Sequence, residues 1–120
     1  MRPPQMSEDG GVLTITLDDP DALNDGQAVG VRQPLYQSIQ ERQSPRVAVD
    51  LAGVDFLSSS GIALLIGLKR RVDGQKGRLV LFHIHPHVLD LFRVMRLVDL
   101  FVIAGDRDEA VELLPPLPAF

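Results

Sequence analysis

The apolar positions of the chain fall into two spacings, and their order along the sequence predicts the order of the secondary structure. Alternating or continuous apolar runs rich in β-branched residues are typical of strands. Such runs occupy residues 12–17, 46–51, 79–84 and 101–104. The run at 79–84 is apolar at nearly every position, which indicates a parallel strand covered on both faces.

Between the predicted strands, apolar residues recur at spacings of three and four, which predicts four helices at about residues 24–43, 60–71, 86–95 and 106–114. The second of these is apolar nearly all round, so it should be buried. The third should turn five side chains inward: Val88, Leu89, Leu91, Phe92 and Met95. Strands that alternate with helices predict an α/β fold, here a small, mostly parallel sheet packed with about four helices.

One proline interrupts the first predicted helix, which Asn24 or Asp25 can cap. Pro34 lacks the N–H that would bond to the carbonyl of Gly30. The helix should therefore either bend at this point or restart at Pro34.

The length of 120 residues predicts one domain. Residues 1–11 are polar and contain two prolines, so they should form a tail or a short edge strand. Residues 12–114 should form the domain, and the proline-rich residues 115–120 should form a C-terminal tail.

The composition narrows the classes of function. The chain has no cysteine, which excludes disulfides, thiolate metal sites and cysteine nucleophiles. Its net charge of −4 argues against nonspecific binding to nucleic acid, which needs a basic surface. Residues 1–6 lack the apolar core of a secretory signal. No apolar run approaches the roughly 20 residues that span a bilayer. We therefore expect a cytoplasmic protein with neither nucleic acid nor a membrane as a partner.

The segment that says most about function lies just before the second predicted helix. There an apolar stretch ends in Ser58, Ser59, Ser60 and Gly61, and an apolar helix follows at once. A hydroxyl at this place can cap the free N–H groups of the first turn. The same turn carries partial positive charge and accommodates an anion. The pattern therefore fits either a structural cap or a phosphorylation site.

The surrounding residues resemble the STAS domain signature of bacterial anti-sigma factor antagonists. In that signature an apolar strand leads to Asp-Leu, then to an apolar pair, Asp-Ser-Ser-Gly and an apolar helix. Asp50-Leu51, Phe56-Leu57 and Ser59-Ser60-Gly61 fall at matching positions, and the resemblance runs from about residue 12 to residue 114. It implies a small sheet with helices around it and the serine motif at one end.

The resemblance also implies a function. The chain should be a binding module that engages an anti-sigma factor serine kinase and so releases a sigma factor, until phosphorylation of Ser59 ends the binding. Ser58, which stands where the family has Asp, is the alternative acceptor. The partner-binding surface should comprise six residues: Asn24, Asp25, Ser58, Ser59, Ser60 and Gly61. No cofactor is implied, and the chain should be a monomer or a weak homodimer.

Two departures from the family pattern leave alternatives open. Ser58 and Asn24 replace acidic residues, so the chain could instead be a scaffold or dimerisation module that is never phosphorylated. Asn24 and Asp25 could also serve only as a helix cap and turn. Arg96 stands where the family usually has Gly, so the chain there should adopt a strained left-handed conformation or continue the helix.

The remaining motifs do not indicate catalysis or metal binding. His83, His85 and His87 alternate, which on a strand would place them on one face. However, Pro86 breaks the strand, and no cysteine or carboxylate lies close in sequence to complete a metal site. The Gly-x-Ser-x-Gly motif of serine hydrolases is absent as well. We therefore expect neither a metal site nor an enzyme.

Overall fold

The computed structural model describes residues 4–17 and 27–115, and within them the chain forms one five-stranded sheet. Its strands are β1 (Gln5–Asp9), β2 (Val12–Thr16), β3 (Arg46–Asp50), β4 (Arg78–Phe82) and β5 (Val102–Ala104). They lie side by side in chain order. The pairs from β2 to β5 are parallel, and β1 is antiparallel to β2. The predicted α/β class with a mostly parallel sheet is confirmed.

A glycine pair makes the antiparallel hairpin between β1 and β2. Gly10 and Gly11 lie between the paired residues Asp9 and Val12, and both have positive φ, at 60° and 79°. A two-residue hairpin turn of this kind requires left-handed backbone at both central positions, which glycine adopts without strain. The edge of the sheet next to β2 is thereby covered by β1.

Four helices and a short 3₁₀ turn at Leu97–Asp99 complete the described part of the chain. The helices are α1 (Gln27–Gln40), α2 (Ser59–Gly74), α3 (Pro86–Val94) and α4 (Arg107–Leu113). Among the helices of the described residues, none combines the length and the apolar character that crossing a membrane requires.

The first helix differs from its prediction in two ways. It continues through Pro34, so the expected restart there is wrong, and it ends at Gln40 and not near Gln43. Pro34 is exposed, so the hydrogen bond that it cannot donate is lost on a face that water can reach.

The end of α3 corrects one predicted core residue. Val88 and Phe92 are buried as expected, but Met95 is 48% exposed. The helix stops at Val94, and Arg96 takes left-handed angles of φ 59° and ψ 26°. Of the two conformations expected for Arg96, the strained one is therefore present. Because the chain turns here, Met95 no longer follows the inward face of the helix.

The core lies on both faces of the sheet, because side chains alternate along each strand. On one face, residues such as Ile15, Val49 and Leu81 pack with buried side chains of α1, α2 and α3. On the other, Val12, Ala48 and Val80 pack with Ala110 of α4 and with Leu114. Helix α2 buries five residues: Gly61, Leu64, Leu65, Leu68 and Val72. The expected burial of α2 is thus present on one face only, because Ile66 is half-buried and Ala63 is exposed.

A close contact between α1 and α2 fixes the second helix from its outer side. The Tyr36 hydroxyl donates to the carbonyl of Leu64 at 3.3 Å, and the Arg71 guanidinium lies 3.7 Å from the centre of the Tyr36 ring. Gly67 makes room for this ring, because a Cβ there would lie 2.1 Å from the tyrosine oxygen. The helix that carries the serine motif is thus held from both sides.

Candidate functional site

The serine motif lies at the edge of the sheet where the parallel strands β3 and β4 end. Asp50 pairs with Phe82 at the ends of the two strands, so the segments that follow them leave the sheet side by side. One is the loop of residues 51–58, which leads into α2, and the other is the loop of residues 83–85, which leads into α3. Loops at the carboxyl ends of parallel strands are the usual place for binding sites in such sheets.

Ser58 is the cap of α2. Its backbone is extended (φ −88°, ψ 173°), and its Oγ accepts a hydrogen bond from the N–H of Gly61 at 3.1 Å. Its carbonyl accepts from the N–H of Ile62 at 3.0 Å, which starts the regular helical pattern. The sequence allowed any of three serines to cap this turn, and the fold uses the first.

The other residues of the motif differ in their access to solvent. Ser59 is the first residue of α2 and is exposed, Ser60 is half-buried, and Gly61 is buried. Because Ser59 lies outside the cap, its hydroxyl is presented at the surface. The buried Gly61 supplies the N–H of the cap and not a contact surface of its own.

The first turn of α2 contains no side chain that would compensate the partial positive charge of the helix start. The helix is 16 residues long, and its first turn contains no acidic residue. Aligned peptide dipoles give such an end roughly half a positive charge, which favours a nearby anion. The capping position is also neutral, because it holds Ser58.

Two predicted site residues lie outside the described part of the chain. Asn24 and Asp25 precede Gln27, where the description of α1 begins. The structure therefore brings together only the Ser58 to Gly61 part of the predicted surface, and the role of Asn24 and Asp25 stays a prediction.

Sequence analysis missed an exposed aromatic side chain beside the serines. Phe56 is 58% exposed, while Val54 and Leu57 on either side of it are buried. Hydropathy alone assigns all three to the interior, because they belong to one apolar run. The outward direction of Phe56 depends on the path of the loop, which no local pattern encodes.

The three histidines contact the last residue of β3 and the loop that leads from it to Ser58. The His83 Nδ1 lies 3.1 Å from Asp50 Oδ1, and the His85 Nε2 lies 2.7 Å from the carbonyl oxygen of Ala52. The His87 Nε2 contacts the carbonyl oxygen of Asp55. The rings therefore reach three different atoms of the loop and do not converge on a common point. Within residues 4–17 and 27–115, no group of three or more His, Cys, Asp or Glu residues is arranged to hold a metal ion.

The structure has the small sheet and the serine-capped helix at one end that the resemblance in the sequence implies. The chain belongs to the STAS domain family, whose model matches residues 3–110. The resemblance found in the sequence is thereby confirmed.

Curated relatives carry the name of one functional group within that family. BtrV of Bordetella bronchiseptica, named among the anti-sigma factor antagonists, is 31% identical over 65 residues. That match spans only about half of each protein, 54% of this chain and 56% of BtrV. The anti-sigma F factor antagonist of Paenibacillus polymyxa is 26% identical over 113 residues, which cover 94% of this chain and 92% of the relative.

A solved structure shows the same fold. The anti-sigma-factor antagonist (STAS) domain protein of Planctomyces limnophilus superimposes with a TM-score of 0.82 at 20% identity. The superposition covers 92% of this chain and 97% of that structure. At this level of identity the likeness concerns the fold alone.

Proposed function

We propose that this protein is an anti-sigma factor antagonist whose binding to an anti-sigma factor serine kinase is ended by phosphorylation of Ser59. In its unmodified form it would occupy the kinase and so release a sigma factor. The names of the curated relatives support the first part of this proposal. One observation carries the second: Ser59 is exposed at the start of a long helix whose cap is already formed by its neighbour.

The choice of Ser59 over Ser58 follows from the hydrogen bond of the cap. Ser58 Oγ accepts from the N–H of Gly61, so a phosphate there would have to replace the oxygen that holds the first turn. Ser59 has no part in that cap and lies at the surface. A kinase can therefore modify Ser59 without disturbing the start of α2.

The exposed residues around Ser59 give the contact surface its apolar content. Phe56 precedes the motif by two residues, and Ala63 lies one helical turn beyond Ser59 on the same face of α2. Aromatic anchors at the centre of an interface often carry much of its binding energy. A phosphate of about −1.5 to −2 charges placed among such contacts would have to be desolvated, and binding would weaken.

In this proposal the protein acts as a binding module and not as an enzyme. Its surface comprises Ser58, Ser59 and Ser60 together with the predicted loop residues Asn24 and Asp25. Gly61, which the sequence placed on this surface, is buried and supports it only through the N–H that it donates to the cap. It would work in the cytoplasm, as a monomer or a weak homodimer, and without a cofactor.

The test compares Ser59→Ala, Ser59→Asp and the wild type for binding to each anti-sigma factor kinase of the host. We expect Ser59→Ala to bind like the wild type and to resist phosphorylation. Ser59→Asp should weaken binding by more than about tenfold, since an unpaired interfacial charge costs upwards of 1.4 kcal/mol. Calorimetry gives the affinities, and phosphosite mass spectrometry gives the modified residue.

Ser7→Asp is the matched control. Ser7 is exposed on the edge strand β1, which is separated from β3 by β2, and the added charge there should leave binding unchanged. Modification at Ser58 would show that Ser58, and not Ser59, is the phosphorylated residue. Equal binding by the wild type and Ser59→Asp, with no serine modified, would contradict the switch and favour the scaffold alternative.

A further inference from the structure

We infer that His83, His85 and His87 act as a histidine clasp: three imidazole donors that hold the loop of residues 50–57 and thereby position the serines that follow it. Its effect on phosphorylation rests on the function proposed above. Its effect on the order of the loop does not.

The clasp begins where the backbone pairing of β3 and β4 ends. The N–H of Leu51 donates to the carbonyl of Phe82 at 3.0 Å, which extends the ladder one residue past β3. From there the two chains separate, and side chains span the gap. His83, His85 and His87 contact Asp50, Ala52 and Asp55 in matching order along the two segments.

The acceptors determine which nitrogen of each imidazole carries the hydrogen. Carboxylate and carbonyl oxygens have no hydrogen to donate, so each histidine nitrogen in these contacts carries the N–H. His83 therefore donates from Nδ1, and His85 and His87 donate from Nε2. The opposite nitrogen of each ring is not needed for the contact.

The contact at Asp50 reinforces a turn that is already formed. Asp50 Oδ1 also accepts from the N–H of Ala52 at 2.9 Å, so two donors from different segments meet at one oxygen. His83 reaches this oxygen from a left-handed backbone (φ 58°), which is uncommon outside glycine. Its ring also lies edge-on to Phe82, with the ring centres 4.7 Å apart. A strained residue held by several contacts is often part of a functional site.

The held loop connects directly to the proposed site. Leu51, Val54 and Leu57 anchor it in the core, and between them Asp55 and Phe56 are exposed. The loop ends at Ser58, the cap of α2. The clasp would therefore set the positions of Phe56 and the Ser59 hydroxyl through the loop, since the hydrogen bonds of the histidines go to Asp50, Ala52 and Asp55. The three histidines are positioning residues in this sense.

The first test does not involve a kinase. In the triple variant His83→Gly/His85→Ala/His87→Ala, amide hydrogen exchange of residues 52–58 should accelerate about tenfold, because three hydrogen bonds to the loop are lost. Glycine at position 83 tolerates the left-handed backbone, so its effect reports the lost donor and not new strain. The matched control is His83→Asn/His85→Gln/His87→Gln, which keeps a side-chain N–H at each position and should restore slow exchange.

The second test measures phosphorylation of Ser59 by the cognate kinase. The donor-free variant should lose about tenfold in kcat/KM, and the amide-bearing control should recover it. A purely structural role would not distinguish these two variants when both are equally folded by circular dichroism. If the triple variant does not fold, the single variants His85→Ala and His85→Gln can be compared instead, because they remove and keep the donor at one contact.

The outcomes separate the clasp from the proposed function. Unchanged exchange at residues 52–58, or faster exchange spread through β2, β3 and β4, would overturn the clasp whatever the kinase does. Faster exchange confined to the loop, with the wild type itself not phosphorylated, would uphold the clasp and contradict the phosphorylation switch.

Discussion

Helices α2 and α4 begin in the same way, yet only the start of α4 carries acidic side chains. In each, the side chain before the helix accepts a hydrogen bond from the N–H three residues on. Ser58 Oγ accepts from Gly61 at 3.1 Å, and Asp106 Oδ1 accepts from Glu109 at 2.9 Å. The first turn of α4 contains Asp108 and Glu109, whereas the first turn of α2 contains no acidic residue.

The difference shows how one geometry serves two purposes. At α4 the anion that the helix dipole favours is built into the sequence, so the turn is complete as it stands. At α2 the cap is neutral and the next residue is an exposed serine, so in the proposed function phosphorylation would supply the negative charge. This contrast fits the proposal that Ser59 is a phosphorylation site.

The largest effect is expected from a large buried side chain of α2, since the residue that α4 buries is the smaller Ala110. Leu65 is 1% exposed, and Leu65→Ala should lower the free energy of unfolding by about 2–5 kcal/mol, because it leaves a cavity in the core. Ile66→Ala is the matched control, and it should cost less because Ile66 is only half-buried. Chemical denaturation measures both. A change below about 1 kcal/mol for Leu65→Ala would show that α2 is peripheral and would remove the rigid base of the site.

Removing either capping side chain should have an intermediate effect on the free energy of unfolding. Ser58→Ala should cost about 1 kcal/mol, and Asp106→Ala somewhat more, because Asp106 loses both a cap and a charge near the helix dipole. Asp106→Asn isolates the charge, since Asn caps as well as Asp. In about 1 M salt the two alanine variants should converge, because screening removes the charge contribution. If they differ equally at all salt concentrations, the electrostatic contrast between the helices is wrong.

Ser58→Asp tests the same difference between the two helices by giving α2 an acidic cap like that of α4. The variant should be more stable than the wild type by about 0.3–1 kcal/mol at low ionic strength. It should also be a poorer kinase substrate, because the new carboxylate repels the phosphate that would form at Ser59. Thermal unfolding and a phosphorylation time course measure the two effects. Unchanged stability would mean that the start of α2 has no need of an anion.

Local patterns predicted the elements of this fold well, because each depends on a short hydrophobic period or on a cap. They placed β2 to β5 within one or two residues and located the serine motif at the start of α2, but they gave β1 only as one of two alternatives for residues 1–11. Exposure was harder to predict: Phe56 and Met95 are apolar but exposed, and Ile66 is only half-buried against the core, because exposure depends on the tertiary path of the chain.

The histidine contacts could not be predicted from local sequence patterns either. They join residues 32 or 33 positions apart, and they exist only because β3 and β4 are parallel neighbours. The alternation of His83, His85 and His87 was visible in the sequence, but the residues that the three rings contact were not. Arg96 illustrates the opposite case: the sequence predicted two alternatives for it, and the structure has the left-handed one.

The smallest effect on stability is expected at Ser59 itself. Ser59→Asp places a charge where the dipole of α2 favours it, on a residue that takes no part in the cap, so the free energy of unfolding should change by less than about 0.5 kcal/mol. Asp108→Ser in the first turn of α4 is the mirror control, and it should lose a few tenths of a kcal/mol. Thermal unfolding measures both. A near-neutral Ser59→Asp means that any loss of partner binding arises at the interface and not from unfolding. A loss above about 1 kcal/mol would instead show that α2 does not accept an anion, and the contrast with α4 would no longer explain the site.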